Sequence, residues 1–209
     1  AAVKGLAQLG ATLGREFSYE LLQAVSPWDE GTLQRGLHQL VEAEFLYQRG
    51  LPPQATYRFK HALIQEAAYQ SLLRSTRQQH HQRIAQVLEA QFPETVETQP
   101  ELLAQHYTEA GLSAPAVAHW QRAGARALAR SANLEAVSHV TRGLEVLQAL
   151  AETRERAQQE LALHLTLGPA LGRLRGPMAP EGERVYSRAY ALGRHVGDTT
   201  QWFPALWGL

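Results

Sequence analysis

Few residues in this chain have the types and spacing that chemistry needs. Gly5, Gly10 and Thr12 reproduce the GxxxxG-x-[ST] spacing of a phosphate-binding loop, in which backbone N–H groups cradle phosphates and a Lys reaches between them. Here Ala11 stands where that Lys must be, and no apolar strand precedes Gly5. Val3, Leu6, Leu9 and Leu13 instead recur at helical period, so a helix is expected. His80 and His81 are adjacent and would point about 100° apart on a helix, the wrong geometry for one metal ion. There is no HExxH and no GxSxG. The absence of Cys excludes thiolate ligands, Cys nucleophiles and disulfides. Glu152 and Glu155 fall on a charged helical stretch, which solvation explains better than acid/base work.

What remains is basic. Arg74, Arg77, His80, His81 and Arg83 cluster along one segment, read either as a phosphate or DNA contact or as a solvated helix face. Arg122, Arg126 and Arg130 recur every fourth residue and share one helix face, suited to an acidic peptide or, more simply, to a solvated stripe balanced by nearby Glu.

Composition limits the partners. The formal net charge is zero and charged residues make up 19%, so the excess of Lys and Arg that nucleic-acid binding requires is missing. Hydrophobic residues make up 44%, enough for a buried core in 209 residues. No signal peptide opens the chain and no long apolar run would span a membrane, so a cytoplasmic setting without membrane contact is expected. The chain opens on Ala1 and stops at Trp207-Gly208-Leu209 in an apolar stretch. Continuation at both ends is therefore expected, along with self-association through Trp202, Phe203 and Trp207 if that face is left bare.

These residues must be held by helices. Gly14 closes the first, Ser18 is placed to cap a second over Tyr19–Val25, and Asp29 a third carrying Leu33, Leu37, Leu40 and Val41 on one face. Phe45-Leu46-Tyr47 and Thr56-Tyr57-Arg58-Phe59, around Gly50-Leu51-Pro52-Pro53, predict a β-hairpin. Three short helices then a hairpin is the order of a winged helix. The third helix is acidic, with Asp29, Glu30, Glu42 and Glu44 against Arg35 and His38, which disfavours DNA at the usual reading position. Helix is expected again from His61 to about Gln91, with a break near Ser75. From Pro100 onward helices are expected over 101–110, 114–131, 133–150, 154–172 and 180–196, joined by loops short enough to force antiparallel packing.

One unit of this second part has a pattern. Trp120, Ala123, Gly124 and Ala127, then Ala136, Val140 and Gly143, follow the tetratricopeptide layout of W-x2-L-G-x2-Y and A-x3-F, with Ala, Ala and Val replacing Leu, Tyr and Phe. Small residues would let two helices approach while Trp120 fills the groove. The alternative is an ordinary helical hairpin under the same packing rules. The flanking hairpins, His81–Ala110 and Arg154–Val196, are weaker matches. The fold class is thus mainly α: a winged-helix-like module with one short β-hairpin over 1–75, then antiparallel hairpins of tetratricopeptide type over 76–209, incomplete at the C-terminus.

Tyr57-Arg58-Phe59-Lys60-His61-Ala62-Leu63-Ile64-Gln65-Glu66-Ala67-Ala68-Tyr69, with Arg77, His81, Ile84 and Ala85 after it, resembles the end of the ATPase module in large bacterial STAND-type ATPases that continue into tetratricopeptide repeats. Gly14-Arg15-Glu16-Phe17, Gln121-Arg122-Ala123-Gly124 and Arg142-Gly143-Leu144-Glu145 share the resemblance. Many members of that group carry a class III adenylate or guanylate cyclase or a protein kinase domain. The resemblance implies a non-catalytic regulatory segment, with the P-loop and any cyclase domain upstream, ATP or ADP bound by the larger protein, and His61 touching a phosphate of ADP. The alternative for His61 is a helix cap or packing under the hairpin. The implied partners are the upstream ATPase core and an unidentified protein or small effector on the repeats, with DNA disfavoured. The alternatives are a plain helical-repeat interaction scaffold and a winged-helix DNA-binding regulator.

Overall fold

The computed structural model describes residues 2–176 and 179–196. Within them the chain is mainly helical, with one small three-stranded antiparallel sheet. Trp202, Phe203 and Trp207, expected to drive self-association, lie outside the described residues.

The chain divides into two compact units, Ala1–Pro93 and Glu94–Leu209. The first is built in the order α1 (Ala2–Leu13), β1 (Glu16–Ser18), α2 (Tyr19–Val25), α3 (Glu30–Glu42), β2 (Leu46–Arg49), β3 (Thr56–Phe59), α4 (Ala62–Gln70) and α5 (Arg74–Gln91). The expected P-loop mimic lies wholly inside α1, where Gly10 abuts the ring of Phe17. Ser18 caps α2 by accepting a bond from the Leu21 N–H, and Asp29 caps α3 by accepting from the Thr32 N–H and hydroxyl. The hairpin β2–β3 forms as expected and a third strand joins it: β3 lies between β1 and β2, pairing Phe17 with Tyr57 and Leu46 with Phe59. Phe17, Tyr57 and Phe59 are buried, and the Phe17 ring meets those of Tyr57 and Phe59, so one face of the sheet is aromatic and buried; Leu6, Leu22, Leu33 and Leu37 are buried in the same unit.

Two expectations about this unit change. The break after α4 falls at residues 71–73 rather than near Ser75. The unit boundary falls at Pro93 rather than at residue 75, because α5 packs on α1 and α2; its Ile84, Val87 and Leu88 are buried. The expected hairpin from His81 to Ala110 straddles the boundary between the two units. α5 belongs to the first unit, and a short helix, α6 (Pro93–Thr98), follows it.

The second unit continues with α7 (Pro100–Glu109), α8 (Ser113–Ala129), α9 (Asn133–Leu147), α10 (Arg154–Arg175) and α11 (Pro180–Val196). Successive helices pack on each other, and α10 also reaches α8. The turns α7–α8 and α8–α9 share one geometry. Gly111 at φ 76° and Ser131 at φ 60° take the left-handed position, and the next N–H in each turn, of Leu112 or Ala132, returns to the carbonyl five residues back, of Tyr107 or Ala127, at 2.9 Å. Arginines finish the helices: Arg173 donates to the carbonyl of Leu128, Arg156 to that of Leu147 and Arg154 to that of Val196.

Candidate functional site

The first unit's candidates separate by position. His61 takes the N-cap position of α4 with extended backbone, yet its side chain accepts no bond from the helix and the residue is exposed. It neither caps nor packs under the hairpin. α4 has no buried residue and shows Leu63 at 81% exposure. It packs on α1, and near its start the Gln65 side-chain amide donates to the Ala11 carbonyl at 3.0 Å.

The basic cluster does not act as one patch. His81 turns inward at 4% exposure, and its Nε2 lies 3.0 Å from the Tyr69 hydroxyl. Burial pushes its pKa down to about 4, helped by His80 and Arg77. Arg77 lies over the Tyr69 ring at 5.1 Å and donates to Gln70. His80 and Arg83 point elsewhere, into a cleft of about 320 Å³ with Gln79, Leu9, Val25, Ser26 and Pro27. Spacing could not separate these roles, because whether α5 turns a residue toward α4 or toward the α2–α3 turn depends on how it lies across α1.

In the second unit the structure brings the seven patterned residues together. Trp120, Ala123, Gly124, Ala127, Ala136, Val140 and Gly143 are all buried. A Cβ on Gly124 would sit 2.5 Å from Val140 Cγ2, and one on Gly143 would sit 3.1 Å from both Leu163 and the Trp120 Cβ. Trp120 stacks on His139 at 5.6 Å, lies under the Arg142 guanidinium at 5.3 Å, and donates its indole N–H to Thr108 Oγ1 at 3.0 Å. Burial lowers the pKa of His139, which keeps that stack neutral on one side. Sequence reasoning missed His139 and Thr108, and it singled out Arg142 without its contact with Trp120. It also missed Gly168, where a Cβ would come within 2.5 Å of the Tyr186 ring.

The chain is similar to a protein of Rhizobium meliloti (strain 1021). It is 29% identical over 206 residues to that organism's uncharacterized protein R02095, a match covering 97% of this chain and 20% of that protein. The chain thus spans about one fifth of the length of that relative. No protein-family model matches the chain, and no solved structure matches it.

The arginine stripe on α8 is only partly free. Arg122 is exposed, Arg130 pairs with Glu135 at 3.5 Å, and Arg126 is half-buried with its Nε lacking a partner. No group of three or more His, Cys, Asp or Glu side chains able to hold a metal ion occurs among the described residues. No helix among them is long and apolar enough to cross a membrane.

Proposed function

We propose that this chain is a regulatory and interaction segment of a longer STAND-type ATPase signalling protein, without catalysis of its own. The observation that carries the reading is the close approach of α8, α9 and α10 through Gly124, Gly143 and Trp120, the packing that tetratricopeptide hairpins need to stack into a binding surface. The order α1-β1-α2-α3-β2-β3, with β3 between β1 and β2, is that of a winged helix and supports the first half of the reading. The greater length of the Rhizobium relative supports a place within a larger chain.

In this proposal the winged-helix-like unit rests on an upstream ATPase core. His61 stands free at the start of α4, where the helix dipole and an imidazole N–H favour a phosphate oxygen. ADP there would hold the resting arrangement, and a protein or small effector on the helical hairpins would favour the open one. The proposed setting is the cytoplasm, with ATP or ADP belonging to the larger protein. Arg122 is the stripe residue most available to an acidic partner.

The test is ADP retention by the full-length protein carrying His61→Ala. Release at least tenfold faster than wild type is expected. Unchanged release removes the sensor role and leaves the reading of a plain helical-repeat scaffold. A DNA-binding role is disfavoured by α3, whose exposed face shows Glu30 and Glu42, the latter paired with His38 at 3.2 Å.

A further inference from the structure

The cleft on the first unit is not used by the function proposed above. It lies between α1, the turn joining α2 to α3, and α5. Leu9, Val25 and Pro27 supply apolar lining, with Leu9 and Val25 belonging to the buried core. Gln79, His80 and Arg83 supply polar lining from α5, and Ser26 adds a hydroxyl. Its volume of about 320 Å³ suits a small organic molecule and is too small for a folded partner.

On the α5 side of the cleft the charge has one sign. From Arg74 to Leu88, α5 carries Arg74, Arg77 and Arg83 and no acidic residue. Arg77 is engaged with Tyr69 and Gln70, whereas Arg83 has no ion pair or hydrogen bond among the described residues. A guanidinium left free beside an apolar lining meets a carboxylate or phosphate in two parallel hydrogen bonds. The apolar wall then covers whatever hydrocarbon that anion carries.

We propose that this cleft binds a small organic anion, an aromatic or short aliphatic body seated on Leu9, Val25 and Pro27 with its carboxylate or phosphate held by Arg83 and His80. The cleft is lined by first-unit residues that do not include His61, so the proposal stands apart from the repeat and nucleotide readings. Arg83 sets the charge preference, and Gln79 forms part of the rim.

The experiment uses the full chain and two probes of matched shape, 1-naphthoate and the neutral 1-naphthalenemethanol, titrated by calorimetry and by NMR chemical-shift mapping. Saturable naphthoate binding is expected, at least tenfold tighter than the alcohol, with shifts at Leu9, Val25 and His80. Arg83→Gln should weaken naphthoate about tenfold and leave the alcohol unchanged. Gln79→Trp, an exposed position on the rim, should block both probes while the circular dichroism spectrum stays that of wild type. No saturable naphthoate binding to the wild type, equal affinity for both probes, or binding indifferent to both substitutions would overturn the proposal.

Discussion

Replacing Gly124 by Ala should destabilise the second unit, although an Ala in a helix interior is worth about 1 kcal/mol over Gly. The added methyl would stand 2.5 Å from Val140 Cγ2, where carbon atoms pack at about 3.5–4.0 Å. Val140 is fully buried and β-branched, so it has little freedom to swing away. Overpacking of this kind costs about 1–3 kcal/mol, which leaves a net loss of up to about 2 kcal/mol after the propensity gain. The matched control is Gly172→Ala. Gly172 also lies in a helix, α10, but nothing stands within 4 Å of its added methyl, so a gain of up to about 1 kcal/mol is expected. Adding Val140→Ala to Gly124→Ala opens the space the methyl needs, and the pair should couple favourably by about 1 kcal/mol or more. Thermal unfolding followed by circular dichroism reads the sign directly, since 1 kcal/mol shifts Tm by about 4–8 °C in a domain of roughly 60–100 residues and by about 2–4 °C in one of roughly 150–250. If Gly124→Ala raises Tm as Gly172→Ala does, α8 and α9 are not held at the distance that only Gly permits, and the hairpin packing behind the proposed function loses its basis.

Other outcomes follow from the first unit. His81 is buried neutral, its pKa lowered to about 4 from 6.5, so unfolding takes up a proton as pH falls. The stability that this residue confers is complete above pH 6.5 and is lost as pH falls toward 4, with about 2 kcal/mol gone by pH 5. Urea midpoints at pH 7.5 and 5 should show that difference shrink in His81→Gln; an equal acid loss in the variant would place its source elsewhere. Asp29→Ala removes two hydrogen bonds to Thr32 at the start of α3 and should cost about 1 kcal/mol, read as a lower urea midpoint. Asp29→Asn, which keeps an accepting oxygen, should recover most of that loss.

Local signals in the sequence determined most elements, because caps, turns and periodicity act within a few residues. Ser18 and Asp29 cap where their types predict, the aromatic pair around Gly50 forms the hairpin, and helices from Pro100 onward begin and end within a few residues of their breaks. The small-residue pattern from Trp120 to Gly143 was also legible, since close approach demands Gly or Ala at fixed helical offsets. Tertiary structure alone decided what depends on partners far along the chain. β1 has only three residues and too little pattern to announce itself; pairing with β3, about forty residues later, makes it a strand. The assignment of α5 to the first unit was hidden because its apolar residues fit any helical neighbour, and only contact with α1 and α2 selects one. That same placement turns His81 toward Tyr69 and sends His80 and Arg83 into the cleft, dividing a basic run that the sequence shows as one. A helix fixes the angle between neighbouring side chains, but the rest of the fold decides what each of them meets.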